Sequence, residues 1–396
     1  MISKKQLKHI VLASALVCTA TSAFAEAPLY RFEDGSSISA LLSGSVAYND
    51  NIYLAHKGKK GDTILTVSPG LEFLMGNIES ESSLRLTVKD DIVFYMDETD
   101  NNSNLPHANL NYVFNGSKLR ATVDAGADYV MTTSSRDYRD GQLVRYWYYY
   151  GNVLGTYGLS ERLSVTSGFK WNGTTYTRGE DRYNDRQVYA IPVSLYHTVT
   201  EKLKAGLSYE YRYSDLAAND NQKGKYNPGC QEVHFFGVTA TGDVTDKLDI
   251  DGRIGYTTSD WSRRNTSSNN DRTSTMGMGV SARYKVTDKT TTSLNLSRDF
   301  EIAGDGQGIT STGVQLSASH RLDDKWSLNA LAAYKNDNYN SGNREDDVWT
   351  AQVGCSYRFS EALSFNASYR FQWDDSNDST MSYTDNVVTL SLNFRY

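Results

Sequence analysis

From Ser37 onward the chain alternates apolar and polar residues in blocks, and the polar breaks between blocks alternate in length. Short breaks recur as Ser160-Glu161-Arg162-Leu163, Thr200-Glu201-Lys202-Leu203, Thr245-Asp246-Lys247-Leu248, Thr287-Asp288-Lys289, Asp323-Asp324-Lys325-Trp326 and Ser360-Glu361-Ala362-Leu363. Their starts lie 40, 45, 42, 36 and 37 residues apart. Between them are long breaks rich in Asp, Asn, Ser and Gly, at 178–186, 217–228, 262–271, 336–347 and 374–385. Period-two alternation sends successive side chains to opposite faces of a strand, so each repeat reads as one hairpin plus one long loop. A propeller blade repeats near this length but needs four short strands where this chain offers two long ones. Long strands with tight turns at one end and long polar loops at the other predict an all-β fold: a transmembrane antiparallel up-and-down β-barrel.

The last block, from Asp385, shows the pattern most sharply. Val388, Leu390, Leu392, Phe394 and Tyr396 alternate with Thr389, Ser391, Asn393 and Arg395. Leu392, Phe394 and Tyr396, ending on an aromatic residue, resemble the C-terminal assembly signal of bacterial outer-membrane β-barrels. That resemblance implies the barrel assembly machinery as a partner. Alternating segments centred near Ile38, Ile64, Leu86, Leu110, Val123, Tyr148, Val165, Val193, Leu207, Phe236, Ile254, Val280, Leu296, Leu316, Ala330, Val353, Ala367 and Leu392 give about 18 strands, with 16 as the competing count. An even number places both ends of the barrel on the periplasmic side.

The first 25 residues read as a signal peptide. Lys4, Lys5 and Lys8 precede the apolar run Ile10 to Ala20, and Ala23-Phe24-Ala25 is a small-residue cleavage pattern. Residues 26–36 are then a short periplasmic segment, too small for a folded plug, and 37–396 the barrel. Removing three lysines leaves 37 basic residues against 47 acidic ones, a net charge that gives no footprint for nucleic acid. The content of 28 Tyr with only 5 Pro favours strands. Beyond the leader no apolar run reaches the 18 residues a helical span needs. Cys355 lies on the apolar phase of Val353 and Tyr357 and reads as a small lipid-facing hydrophobe, not half of a disulfide with Cys230.

Parity sorts the side chains. Leu203, Leu207, Tyr209 and Tyr211 oppose Lys204, Ser208, Glu210 and Arg212; Met276, Met278 and Val280 oppose Ser281, Arg283 and Lys285. The polar face is too charged to be dry, so it should line a water-filled lumen, with outer-membrane lipid on the apolar face. Inward basic residues Arg120, Lys204, Arg283, Lys285, Arg321, Arg358 and Arg395 sit beside the short breaks and should form a cationic periplasmic mouth that concentrates anions. The alternative is that they pair with Asp124, Asp249 and Asp251 and only brace the wall. Glu210, Arg212, Arg253 and Arg370 complete the predicted pore lining. Asp90 and Arg298 fall on the apolar phase, where a charge at mid-membrane costs about 2–4 kcal/mol, so a bulge or register shift is expected at each. Pro192, lacking a ladder donor, also predicts a bulge.

The segment Tyr48-Asn49-Asp50-Asn51-Ile52-Tyr53, with Thr66-Val67-Ser68-Pro69-Gly70-Leu71 after it, resembles the N-terminal strand pair of the putative β-barrel porin family of the second type. The motif residues are Asp50, Asn51, Ile52, Ser68, Pro69 and Gly70. What the resemblance implies is an outer-membrane barrel encoded, in some members, with exopolysaccharide synthesis and export systems, which would make export components partners and an exported polysaccharide the cargo. Read locally, Asp50-Asn51 is a turn, since both residue types tolerate left-handed backbone. General diffusion of small solutes and a closed barrel with binding loops are the other readings. No spacing of His, Cys or carboxylates predicts a metal or cofactor. An enzyme is not expected, although His107, placed in a loop, could pair with an Asp there.

Overall fold

The computed structural model describes residues 28–76, 80–133, 142–216, 229–263, 271–302, 308–340 and 343–396. A two-residue strand β1 (Tyr30–Arg31) lies against the start of the first long one. The first nine long strands are β2 (Ser37–Asn49), β3 (Asp62–Met75), β4 (Ser82–Tyr95), β5 (Ser103–Asn115), β6 (Leu119–Thr132), β7 (Val144–Gly158), β8 (Leu163–Tyr176), β9 (Arg186–Thr198) and β10 (Leu203–Leu216). The other nine are β11 (Gly229–Asp243), β12 (Leu248–Arg263), β13 (Asp271–Thr287), β14 (Thr290–Ile302), β15 (Gly308–Arg321), β16 (Trp326–Tyr339), β17 (Glu345–Arg358), β18 (Leu363–Ser376) and β19 (Tyr383–Arg395). Each long strand pairs antiparallel with its sequence neighbours, and β19 pairs with β2 to close the wall. Each predicted strand centre falls inside one of these eighteen.

Residues paired across a ladder share a face, so parity can be carried once round the wall. It returns to itself: inward Arg395 opposes inward Leu41. The outward set includes Leu207, Phe236 and Val353, which are 53%, 62% and 56% exposed, an unpartnered apolar belt that only lipid satisfies. Outward aromatics bound it. Trp326 packs on Tyr357 at 4.7 Å near the short turns, and Tyr334 on Trp349 at 4.5 Å toward the loops. Trp326 and Tyr334 share a strand, and eight residues at a tilt of about 40° span about 20 Å of axial height, close to the apolar band of a spanning barrel. Strands of 13 to 17 residues exceed the roughly 9–11 needed to cross, so the wall continues past the belt into the sequence breaks. Cys355 is outward and Cys230 and Cys355 are both free thiols.

None of the three expected irregularities is a register shift. The β3–β4 ladder keeps one register on both sides of Asp90, but pairing lapses opposite Pro69, which has no N–H to give. Asp90 therefore stays outward, between Pro69 and Pro106, and its Oδ1 has no hydrogen-bond partner among the described residues. Pro192 likewise interrupts the β8–β9 ladder without shifting it. Arg298 also keeps its phase and donates to the hydroxyls of Thr275 and Thr312 at 2.9 and 2.7 Å. The bulge in that ladder lies at its other end, between Lys285 and Thr287.

Candidate pore lining and mouth

At the short-turn rim, Arg120, Lys204, Arg283, Lys285, Arg321, Arg358 and Arg395 all take inward parity and are all exposed. Arg395 is engaged: its Nη2 meets Glu72 Oε1 at 2.5 Å, with Arg85 3.6 Å from the same carboxylate. The other six make no ion pair among the described residues. Bracing by Asp124, Asp249 and Asp251 is not what the geometry holds. Asp124 accepts from Asn111 at 2.5 Å, and Asp249, though the direct ladder partner of Arg283, forms no ion pair with it among the described residues.

Farther along the lumen the charges are paired. Glu210 accepts from Arg253 at 3.1 Å and lies 3.6 Å from Lys170. Arg370 donates to Asp385 and Gln372, each at 2.8 Å. Arg212 donates through both terminal nitrogens to Asp299, at 2.8 and 3.1 Å, and to the carbonyl of Phe300. Arg212 stands on β10 and Asp299 on β14. Four strand spacings amount to about 19 Å along a sheet, so this contact requires the wall to curl back on itself. The β13–β14 ladder stops at Met278–Arg298, which frees the outer half of β13 to turn. Inside the curl, inward Val233, Phe235, Gln231, Thr257, Ser259 and Trp261 are all buried, and the Arg253 guanidinium lies 4.4 Å from the Phe235 ring centre. The lumen is thus not wet all round, as the parity of single strands had implied.

The loop after β2 folds inward at the opposite rim. Asp50 accepts from the backbone and side chain of Asn386 at 2.8 and 2.7 Å. Asn51, fully buried, donates to Thr384 O at 2.9 Å and to Ala55 O at 3.0 Å, and accepts from Ala55 N–H at 2.8 Å. The motif residues thus extend the β19–β2 seam past its last ladder pair, Val387–Asn49; Asp50-Asn51 is a clamp between the first and last long strands, and more than a turn. Ile52 then packs on inward Val93 and Tyr95, and Thr133 Oγ1 donates to its carbonyl. Tyr53 and Lys60 both donate to Glu98, at 2.9 and 2.8 Å. Ser68 and Gly70 face inward on β3 and Pro69 outward.

One inward group was expected elsewhere and another escaped the sequence reading. His107 lies within β5, not in a loop; its Nδ1 is 2.9 Å from Asp128 Oδ1, and its Nε2 is 3.1 Å from Asp91 Oδ2 without hydrogen-bond alignment. Tyr146, Tyr148 and Tyr150 climb the inward face of β7. The run from Tyr146 to Tyr150 is aromatic on both phases, so only the register against Asp128 and Gly126 tells which rings point in.

With the barrel and its lining in place, comparison with known proteins adds one family match, over the C-terminal strands. Residues 237–396 match the family model Putative beta-barrel porin 2. Over that stretch the chain is similar to this porin family. The matched stretch is the C-terminal one, β11 onward, whereas the motif resemblance lies in β2 and β3. No curated protein matches the chain in sequence. Among solved structures it is similar to Pseudomonas aeruginosa OpdL, at 12% identity and a TM-score of 0.47, with 91% of this chain and 98% of that one covered. It is similar to Pseudomonas aeruginosa OccK5 (OpdH) at 12% identity and 0.48, covering 93% and 100%. Acinetobacter baumannii OccAB3 gives 10% and 0.47, covering 91% and 99%.

Proposed function

We propose that this barrel is a passive outer-membrane channel whose cargo is an exported polysaccharide entering from the periplasm. The observation that carries the reading is the closed eighteen-strand wall with an apolar belt outside and polar, charged residues along most of its inside. Such a wall removes the hydrocarbon barrier, and its lining filters what passes. With the short turns in the periplasm, the six cations that make no ion pair among the described residues ring the entrance and raise the local concentration of anions. The polysaccharide cargo rests on the family resemblance of the first strand pair. The chain would reach this membrane by a cleaved leader over residues 1–25 and be inserted by the barrel assembly machinery, using Leu392, Phe394 and Tyr396.

A second reading, a barrel closed by its own loops that binds partners outside, is favoured by the inward fold of Ile52 onto Val93 and Tyr95. Single-channel conductance of the refolded protein in a planar bilayer separates the two. Stable open steps support the channel. Silence from protein that shows a folded, heat-shifted gel mobility sinks it.

A further inference from the structure

We propose that the inward wall of β5 to β8 is a glycan-binding track, in which Tyr146, Tyr148 and Tyr150 offer ring faces to an uncharged sugar chain. The inference rests on reading the lumen as a water-filled passage.

The track is built by the backbone. Tyr150 is the ladder partner of Gly126, and a Cβ added at Gly126 would lie 2.6 Å from the Tyr150 ring atoms. The ring is therefore laid flat across β6, where only glycine leaves room, and its hydroxyl is held by Asn109 Nδ2 of β5 at 2.9 Å. A ring pressed to the wall on one face turns the other to the lumen. Tyr148 follows, its ring centre 5.9 Å from that of Tyr150 at a shallow 34° between planes, and Tyr146 packs on Tyr176 at 5.1 Å. Along the same wall stand Asp128 with His107, Asn111 with Asp124, and Asn152 opposite Lys170.

A sugar ring has flat C–H faces and a rim of hydroxyls that both donate and accept. Aromatic faces cover the first; carboxylates and amides, with several acceptor and donor sites each, satisfy the second. A hydrocarbon ligand would strip water from Asp124 and Asp128 and return nothing. A polyanion would meet Asp91, Asp124 and Asp128, of which Lys89 sits against the first alone at 3.4 Å. An uncharged glycan suits both halves of the surface. The Tyr150–Gly126 contact also pins strand register, as aromatic cover of a sheet glycine does, and that role alone predicts effects on stability with none on sugars.

The test uses the refolded full chain with maltohexaose, cellohexaose and chitohexaose as probes and a polyethylene glycol of equal size as the non-sugar control. At least one sugar should block the open channel saturably where the glycol does not. The paired changes Tyr148→Ala and Tyr150→Ala should weaken the block about ten-fold or more, which corresponds to about 1.4 kcal/mol, while Tyr148→Phe with Tyr150→Phe should retain it. If the paired alanine protein does not refold, Tyr148→Ala alone carries the comparison. Equal block of parent and alanine protein, equal block by the glycol, or no block by any sugar overturns the track. Saturation-transfer NMR on detergent-refolded barrel separates this from the channel itself. Sugar signal without conductance upholds the track and sinks the passage; conductance without sugar signal sinks the track alone.

Discussion

Arg212 on β10 and Asp299 on β14 meet at 2.8 Å although three strands lie between them. The pair ties the loop-side half of β11 to β13 into a curl over the buried Phe235 and Trp261, which should narrow the lumen there. Replacing Asp299 with Ala leaves the guanidinium with the Phe300 carbonyl as its one hydrogen-bond acceptor among the described residues, at a cost of about 1–3 kcal/mol. The expected result is a lower urea midpoint and a larger single-channel conductance, with Arg212→Ala less than additive to it. Additive losses with unchanged conductance would mean that the contact does not shape the lumen.

Asn51 is fully buried and tied to both Ala55 and Thr384. Asn51→Ala strands the Thr384 carbonyl and the Ala55 N–H at the β19–β2 seam and should destabilise the barrel by about 1–3 kcal/mol. Hydrogen exchange should rise first at the outer ends of β19 and β2. A uniform rise round the wall would refute the seam clamp.

The eighteen strands were legible because a spanning strand must obey period two for its whole length, and a lipid-facing residue has no alternative partner to hide a wrong phase. Lys204, Arg283 and Arg358 take inward ladder parity for the same reason. What parity cannot carry is curvature. Nothing along β10 or β14 announces that Arg212 and Asp299 touch, because their contact depends on how the sheet bends between them, and Phe235 on its inward phase reads only as an exception. Asp50 and Asn51 were legible as polar turn formers, but their partner Asn386 lies 336 residues from Asp50 and is reached only when the barrel closes. The expectation of bulges at Asp90 and Pro192 failed because a missing proline donor can be absorbed as a local gap in a ladder without any slip of register.

Asp90 remains on the outward face within β4, with Pro69 and Pro106 beside it and one oxygen unsatisfied. An acidic residue at such depth costs less than the 2–4 kcal/mol of a lysine or arginine, so Asp90→Val should stabilise the protein by about 1–2 kcal/mol. The measurement is the urea midpoint of folding into lipid vesicles. A lower midpoint would show that the carboxylate serves the structure.

The six short-turn cations that make no ion pair among the described residues should govern ion selectivity. Arg283→Ala, Arg321→Ala and Arg358→Ala combined should reduce the anion-to-cation permeability ratio read from reversal potentials in a salt gradient, with the difference fading at high salt as screening shortens. Selectivity identical to the parent at low salt would remove the cationic mouth from the mechanism.

The inward loop is fastened by Glu98, and its hold should depend on pH. The Glu98 carboxyl is kept below its usual range chiefly by the hydrogen bond from Lys60 and then by that from the Tyr53 hydroxyl, while the same Glu98 contact raises Lys60 above its usual range. For a carboxyl lowered on folding, the contact contributes fully above its ordinary value of 4.5 and is lost as pH falls through the lowered one. For the raised ammonium, it contributes fully below 10.5 and is lost as pH rises through the raised value. The fastening therefore holds across neutral pH and releases on the acid side when Glu98 is protonated. Because Ile52 carries this loop onto Val93 and Tyr95, acid should lengthen the open intervals in single-channel records stepped from neutral to low pH. Glu98→Gln should show long open intervals already at neutral pH and lose the acid step. A variant whose acid step matched the parent's would place the responsible group elsewhere in the mouth.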